Sequence, residues 1–338
     1  MLRACSRAHG AALRRVVVAP ATRRAEVTNP LPHPHFAVNP GAGIGSLRIV
    51  NEAQDSRLRI AAIGFLNPAP LMWDFEHPPL SAELAKRYRI DRMTPAECAV
   101  RLATGQADIG LIPIAALATS PDVRILPGCT IASKGRVRSL LLVHGIGQEL
   151  TDLRSVAADT ASRTTIAYAR ILFHKWGNPG IQFVPMAADL DLMLEQADAA
   201  IMIGDPALLA LEERFNRMER TGEELVYRDL AAEWNVLTGL PFVSAVWGAS
   251  PNCPADDGIV EDFIHSRDHG LANIDALVAE WAKRTPIPEE TIRAYLTTNI
   301  HYVLDEECVE GMRGFFRMAA EYGVLPPYDV TVEELVSR

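Results

Sequence analysis

Asn67 stands in the run Gly64-Phe65-Leu66-Asn67-Pro68-Ala69-Pro70, directly after the apolar stretch 58–63. A strand that ends on glycine and turns at an asparagine sets an uncharged polar group, with fresh backbone N–H donors, at the carboxyl edge of a sheet. Open α/β sheets bind ligands at that edge, and helix starts there favour anions. Three later segments have the same character. Asp108–Ala116 runs from strand into helix through Pro113, which directs the N–H groups of Ile114, Ala115 and Ala116 outward as anion donors. Asp159–Thr165 opens a helix with four hydroxyls (Thr160, Ser162, Thr164, Thr165) and the guanidinium of Arg163. One hydroxyl makes an ordinary N-cap; the others form a carboxylate or phosphate cradle. Arg163 can grip a carboxylate in bidentate fashion or pair with Asp159 or Asp189. In Gly204-Asp205-Pro206, glycine permits close backbone approach. Asp205 either caps the helix begun by Pro206 or accepts a proton. The chemistry implied is capture of a small anion, with one amide and one carboxylate near the reacting atoms.

The elements that position these groups alternate in the manner of an α/β fold. Apolar runs predict strands at 58–63, 108–112, 138–143, 155–158, 181–185, 198–203 and 241–247, and helices near 95–104, 162–176, 189–196 and 205–217. Beyond 254 the pattern is helical, at 257–283, 288–299 and 305–322. Thr94-Pro95-Ala96-Glu97 is a capping box that opens the first of these helices, and Thr104-Gly105 closes it. Val137–Gly145 and Leu240–Ser250 are long apolar stretches that bracket a βαβαβα block at 151–239. A chain that leaves one lobe, builds a second and returns has this pattern. The expected architecture is therefore a two-lobed α/β fold of the periplasmic-binding-protein type 2 kind. Each lobe is a mixed sheet flanked by helices, with the ligand cleft between them. The expected boundaries are 57–145 plus 246–338 for the first lobe and 146–245 for the second, with a hinge near 144–150 and 247–250.

Composition narrows the partners. With 338 residues, 49% hydrophobic and 22% charged, and no apolar run near the length of a membrane span, the chain reads as globular with no membrane partner. Residues 1–24 hold six arginines and no acid; taking those six charges from the net −9 leaves −15 on the rest. So acidic a body does not suit nucleic acid. The Arg- and Ala-rich start has the composition of a transit peptide. With the Pro-, Gly- and Asn-rich stretch that follows, residues 1–56 are read as an extension outside the fold. Five scattered cysteines form no C-x-x-C pair, so the default is a reducing, cytoplasmic setting. Cys129, beside Gly128 in an expected loop, is the one candidate reactive thiol. His265 and His269 stand four apart without a third ligand, and no metal or cofactor is expected.

Taken in order, these segments resemble the chorismate dehydratase family of the futalosine route to menaquinone. The resemblance is carried by Gly64–Pro68, Asp108–Pro113, Leu126-Pro127-Gly128 with Ile131-Ala132-Ser133, and Val137–Leu142. It continues through Asp159–Thr165, Gly204-Asp205 and the more specific block from Trp234 through Thr238-Gly239-Leu240-Pro241-Phe242-Val243 to Trp247, covering roughly 57–325. It implies elimination of water from chorismate, with Asn67 near the departing hydroxyl and the Thr160–Thr165 cradle on a carboxylate. Phe65, Leu66, Pro113, Ile114, Ala115, Ser133, Ser139 and Gly204 would line the substrate site. The proton acceptor is left open between Asp205 and the substrate's own side-chain carboxylate. Ile114 stands where the family often carries serine, leaving only a backbone N–H there. Two rivals share the fold. A solute-binding component of a transporter would need an export signal. The 1,4-dihydroxy-6-naphthoate synthases usually open with a Ser-Pro-Cys-Pro-Asn-Asp segment, where this chain has Gly-Phe-Leu-Asn-Pro.

Overall fold

A computed structural model describes residues 55–254 and 256–332, so the expected extension at 1–56 lies almost entirely outside the described residues. Eleven strands are described. They are β1 (Leu58–Ile63), β2 (Tyr88–Met93), β3 (Ile109–Pro113), β4 (Arg124–Ser133), β5 (Leu140–Gly145), β6 (Ser155–Asp159), β7 (Gln182–Met186), β8 (Ala199–Ile203), β9 (Leu225–Asp229), β10 (Phe242–Ala249) and β11 (His301–Leu304). They form two mixed sheets, in the orders β11-β4-β10-β3-β1-β2 and β7-β6-β8-β5-β9. In the first, β1 is parallel to β2 and β3, while β10 runs antiparallel between β3 and β4. In the second, β6 is parallel to β7 and β8, and β5 is antiparallel to β8 and β9.

The central strands β3 (IGLIP) and β8 (AAIMI) are buried at every position, as strands covered on both faces should be. Helices supply that cover. Pro95–Ala103 begins at the expected capping box, in which Thr94 and Glu97 satisfy each other's backbone N–H groups. The Thr164–Lys175 helix buries Tyr168 between the lobes, where it stacks on Phe242 of β10 at 3.8 Å and meets Trp234 edge-on at 4.6 Å. Trp234 is fully buried, and its indole N–H donates to Pro241 O. The aromatic block singled out in the sequence thus joins the last helix of one lobe to the return strand of the other.

The change of sheet falls elsewhere than expected. Residues 140–145 pair within the second sheet and 242–245 within the first. The chain therefore crosses at 134–139 and returns through 230–241, not at 144–150 and 247–250. The physical reason is pairing: both long apolar stretches are whole central strands, each committed to one sheet. Both crossings meet at Asp229. Its buried carboxylate accepts the Val137 and Arg138 N–H groups at 2.9 and 2.6 Å, and caps the Leu230–Thr238 helix through the N–H groups of Ala231 and Ala232 at 3.1 Å. The two bonds to Val137 and Arg138 brace a turn in which Arg138 adopts the left-handed region at φ 68°. Asp229→Ala is expected to lower unfolding free energy by about 3 kcal/mol, combining a lost cap with buried donors left unpaired. Chemical denaturation would read this as a fall in midpoint at unchanged slope.

Candidate functional site

The carboxyl ends of β1, β3 and β8 converge with the start of the Thr164–Lys175 helix on a small cavity between the sheets. Phe65, Asn67, Pro113, Ser162, Thr164, Thr165, Gly204 and Ser244 line it, together with Pro95 and an apolar wall of Ile63, Ile131, Leu140, Ile203 and Ala245. Its volume is about 40 Å³, room for a few waters. Small-molecule sites usually measure roughly 300–1,000 Å³, so the lobes stand closed and must part to admit a ligand. Larger open grooves lie outside this convergence, among them one of about 710 Å³ beside β2 and one of about 550 Å³ behind β5 and β9. The convergent cavity is the site candidate because both sheets contribute strand ends to it.

Asn67 sits on its wall, and its Oδ1 is buried without a hydrogen-bond partner among the described atoms. A buried unpaired amide oxygen is costly in a folded protein. At the start of its helix Ser162 Oγ accepts the Thr165 N–H at 3.1 Å, and Thr165 lines the cavity. Thr164 Oγ1 accepts the Ala115 N–H at 3.2 Å, a bond that crosses between the lobes. That contact corrects the expectation that Ala115 offers a free anion donor. Of the expected cradle, Ser162, Thr164 and Thr165 do reach the cavity.

Asp205 departs from its expected role as a cap. The helix Gly204–Glu212 starts one residue before it, with Ile203 at the N-cap position. Its carboxylate instead crosses the cleft to accept the Leu66 N–H, with Oδ1 at 2.9 Å and Oδ2 at 3.1 Å. Burial pushes the Asp205 carboxyl up to about 6. Beside it Gly204 lies at φ +64°, and a Cβ there would come within 2.7 Å of the Phe65 ring. Phe65 and Gly204 are thus facing halves of one interlobe contact.

Other expected site residues are structural. Leu66 is fully buried, and only its backbone is engaged across the cleft. Ile114 is also fully buried and does not line the cavity, so the family's serine position points into core here. Ser133 Oγ donates to Gly135 O, and Ser139 Oγ accepts the Tyr295 hydroxyl at 2.7 Å. Thr160 and Arg163 are exposed and off the cavity wall, because the backbone turns at Ala161 under the buried Asp159, which accepts the Ala161 N–H. Cys129 is not in a loop. It lies buried within β4, with its thiol pushed up to about 12 by burial, which is the reverse of an activated nucleophile. His269 pairs with the buried Asp74. His301, Asp305 and Cys308 cluster within 4.8 Å, but Lys134 Nζ already occupies Asp305 at 2.7 Å and burial pushes the Cys308 thiol up to about 12.

Of the polar lining residues one went unread in the sequence, Ser244; Pro95 and the apolar wall also stood outside the expected site residues. Ser244 is the extra residue of a bulge in β10, where Val243 pairs with Ala132 and Ala245 with the adjacent Ile131. The bulge places Ser244 on the cavity wall. The signal available was a lone hydroxyl inside the apolar run Pro241–Trp247.

Comparisons with known proteins agree with this geometry. The chorismate dehydratase of Thermus thermophilus is 28% identical over 236 residues, covering 68% of this chain and 85% of the relative. Among solved structures, protein AF1704 of Archaeoglobus fulgidus superposes with a TM-score of 0.61 at 14% identity, covering 80% of this chain and all of that one. The periplasmic aliphatic sulphonate binding protein of Escherichia coli gives 0.57 at 15% identity, over 84% and 96% of the two chains. These likenesses establish a periplasmic-binding-protein fold. A family model described as menaquinone biosynthesis matches residues 58–321, a span that includes every residue lining the cavity. This chain belongs to that menaquinone-biosynthesis family.

Proposed function

We propose that the protein is a chorismate dehydratase, a carbon–oxygen lyase that converts chorismate to 3-[(1-carboxyvinyl)oxy]benzoate in the futalosine route to menaquinone. The observation that supports it most is Asn67, which lines the cavity beside hydroxyl-bearing residues and apolar wall and whose buried Oδ1 has no hydrogen-bond partner among the described residues. In this reaction the ring carbon bearing the enolpyruvyl ether loses its proton. The electron pair moves through the ring double bond onto the ring carboxylate, then returns to expel the neighbouring hydroxyl, and proton and hydroxide leave as water. The ring becomes aromatic, so the driving force resides in the substrate. The protein has to orient the ring and stabilise charge on the carboxylate.

Asn67 fits the departing hydroxyl, because its amide offers an acceptor for the O–H and a donor for the oxygen as it leaves. The Thr165 and Ser244 hydroxyls fit a carboxylate. Phe65, Pro113 and Ile131 supply the apolar surface against which a ring can lie. Buried thiols at Cys98, Cys129 and Cys308 support a reducing, cytoplasmic setting.

Binding and turnover of chorismate test the reading. Ser244→Ala is expected to raise KM about tenfold, the loss of roughly 1.4 kcal/mol carried by one hydrogen bond to a charged group. A Ser244→Ala enzyme with an unchanged KM would remove Ser244 from the substrate contacts.

A further inference from the structure

We propose that Asp205 is a positioning residue, which ties closure of the cleft to the orientation of Asn67 by holding the Leu66 N–H across the two lobes. The catalytic side of this inference rests on the dehydratase reading; the structural side stands without it. Asp205 is absent from the cavity wall, and both of its carboxylate oxygens lie within hydrogen-bonding distance of one backbone N–H. A group so placed is not aimed at a reacting C–H. Leu66, whose N–H it holds, precedes Asn67 directly, and the Leu66 side chain is fully buried. Fixing that peptide therefore fixes where the Asn67 amide points.

The bond can form only when the lobes meet, since Asp205 follows β8 of the second sheet and Leu66 follows β1 of the first. Two neighbours share the closed interface: the Phe65 ring against Gly204 and the Ala115 N–H on Thr164. Neither engages the Leu66–Asn67 peptide. Asp205 is thus the contact that converts closure into alignment of the amide.

The groups that bear electrostatically on Asp205 are the Arg284 guanidinium, which favours its charged form, and the buried Tyr295 phenol, which is committed to Ser139. Burial outweighs the Leu66 hydrogen bond and Arg284, so the carboxyl titrates at about 6. The charged acceptor is complete above that pH and is lost as pH falls through it. Asparagine at this position keeps an acceptor oxygen and cannot titrate.

The test combines Asp205→Asn and Asp205→Ala with two readouts: amide hydrogen exchange at Leu66 in the ligand-free protein, and steady-state kinetics with chorismate from pH 5 to 8. Asp205→Ala is expected to speed Leu66 exchange at least tenfold and to lower kcat/KM about 30-fold, mostly in kcat, as loss of a charge-assisted hydrogen bond implies. Asp205→Asn is expected to stay within about fivefold of the parent and to lose the acid limb near pH 6, because its amide oxygen still accepts the Leu66 N–H. An Asp205→Asn enzyme as inactive as Asp205→Ala at every pH, with Leu66 still protected, would overturn the proposal and make Asp205 the proton acceptor. Unchanged Leu66 exchange in Asp205→Ala would overturn it as well. If the parent protein fails to turn over chorismate, the dehydratase reading falls, and exchange at Leu66 alone decides whether the tether exists.

Discussion

Asn67→Ala is expected to lose 10²- to 10³-fold in kcat while unfolding no earlier than the parent protein. The kinetic magnitude is that of removing one preorganised amide from developing charge, about 3–4 kcal/mol. The stability half follows from a different fact. Asn67 Oδ1 is buried and has no partner among the described residues, so removing it relieves a desolvation penalty of about 1–3 kcal/mol. Against that stands the loss of a few van der Waals contacts, and the midpoint of thermal unfolding should hold steady or rise. Most residues that damage an enzyme when truncated also damage its fold; this one should separate the two properties. A thermal midpoint several degrees below the parent's would mean that the amide is structural.

Gly204→Ala is expected to be the most damaging single-methyl change near the cavity. Two penalties act, and they fall on different states. Gly204 lies at φ +64°, where an L side chain costs about 1–2 kcal/mol whether the cleft is open or closed. The added Cβ would also stand 2.7 Å from the Phe65 ring, which exists as a neighbour only when the lobes meet. Displacing a packed ring costs about 1–3 kcal/mol more. The first penalty lowers the melting midpoint. The second biases the protein toward the open form and lowers kcat/KM by roughly 10- to 100-fold. Phe65→Leu in the Gly204→Ala background makes room for the methyl and should recover part of the kinetic loss and none of the thermal loss. Recovery of both together would show that strain and clash are not separable here.

How much of this was legible before the fold was known depends on what each residue does. Buried strands were readable, because β1, β3 and β8 are short apolar runs bounded by turn formers. Three of the four edge strands were not, whereas β7 was read at 181–185 and stands at Gln182–Met186. β2 reads YRIDRM, a charged sequence that fits a strand half open to water, and β9 and β11 are only five and four residues long. β4 was hidden by Pro127-Gly128, which read as a turn and proved to be an irregular stretch inside a ten-residue strand.

At the site, residues whose backbone faces the cleft because a strand ends there were found from local sequence: Phe65, Asn67, Pro113, Thr165 and Gly204. Residues whose role depends on a partner far along the chain were misread. Asp205 looked like a cap because aspartate before proline at a helix start usually is one; its partner stands 139 residues away. Arg163 looked like a carboxylate clamp, but side-chain direction at a helix start follows the preceding turn, which spacing does not encode. The place where the chain changes sheets was missed for a related reason. An apolar run announces a strand without announcing its neighbours.

The proposed reaction is loss of water from chorismate in the cleft between the two sheets. The most direct measurement is chromatography, with mass detection, of chorismate incubated with purified protein lacking residues 1–56, alongside Asn67→Ala and an enzyme-free blank. An aromatic product one water lighter than chorismate is expected, formed by the parent and reduced at least a hundredfold by the substitution. Chorismate left intact by folded parent protein, or turned over equally by Asn67→Ala, would contradict it.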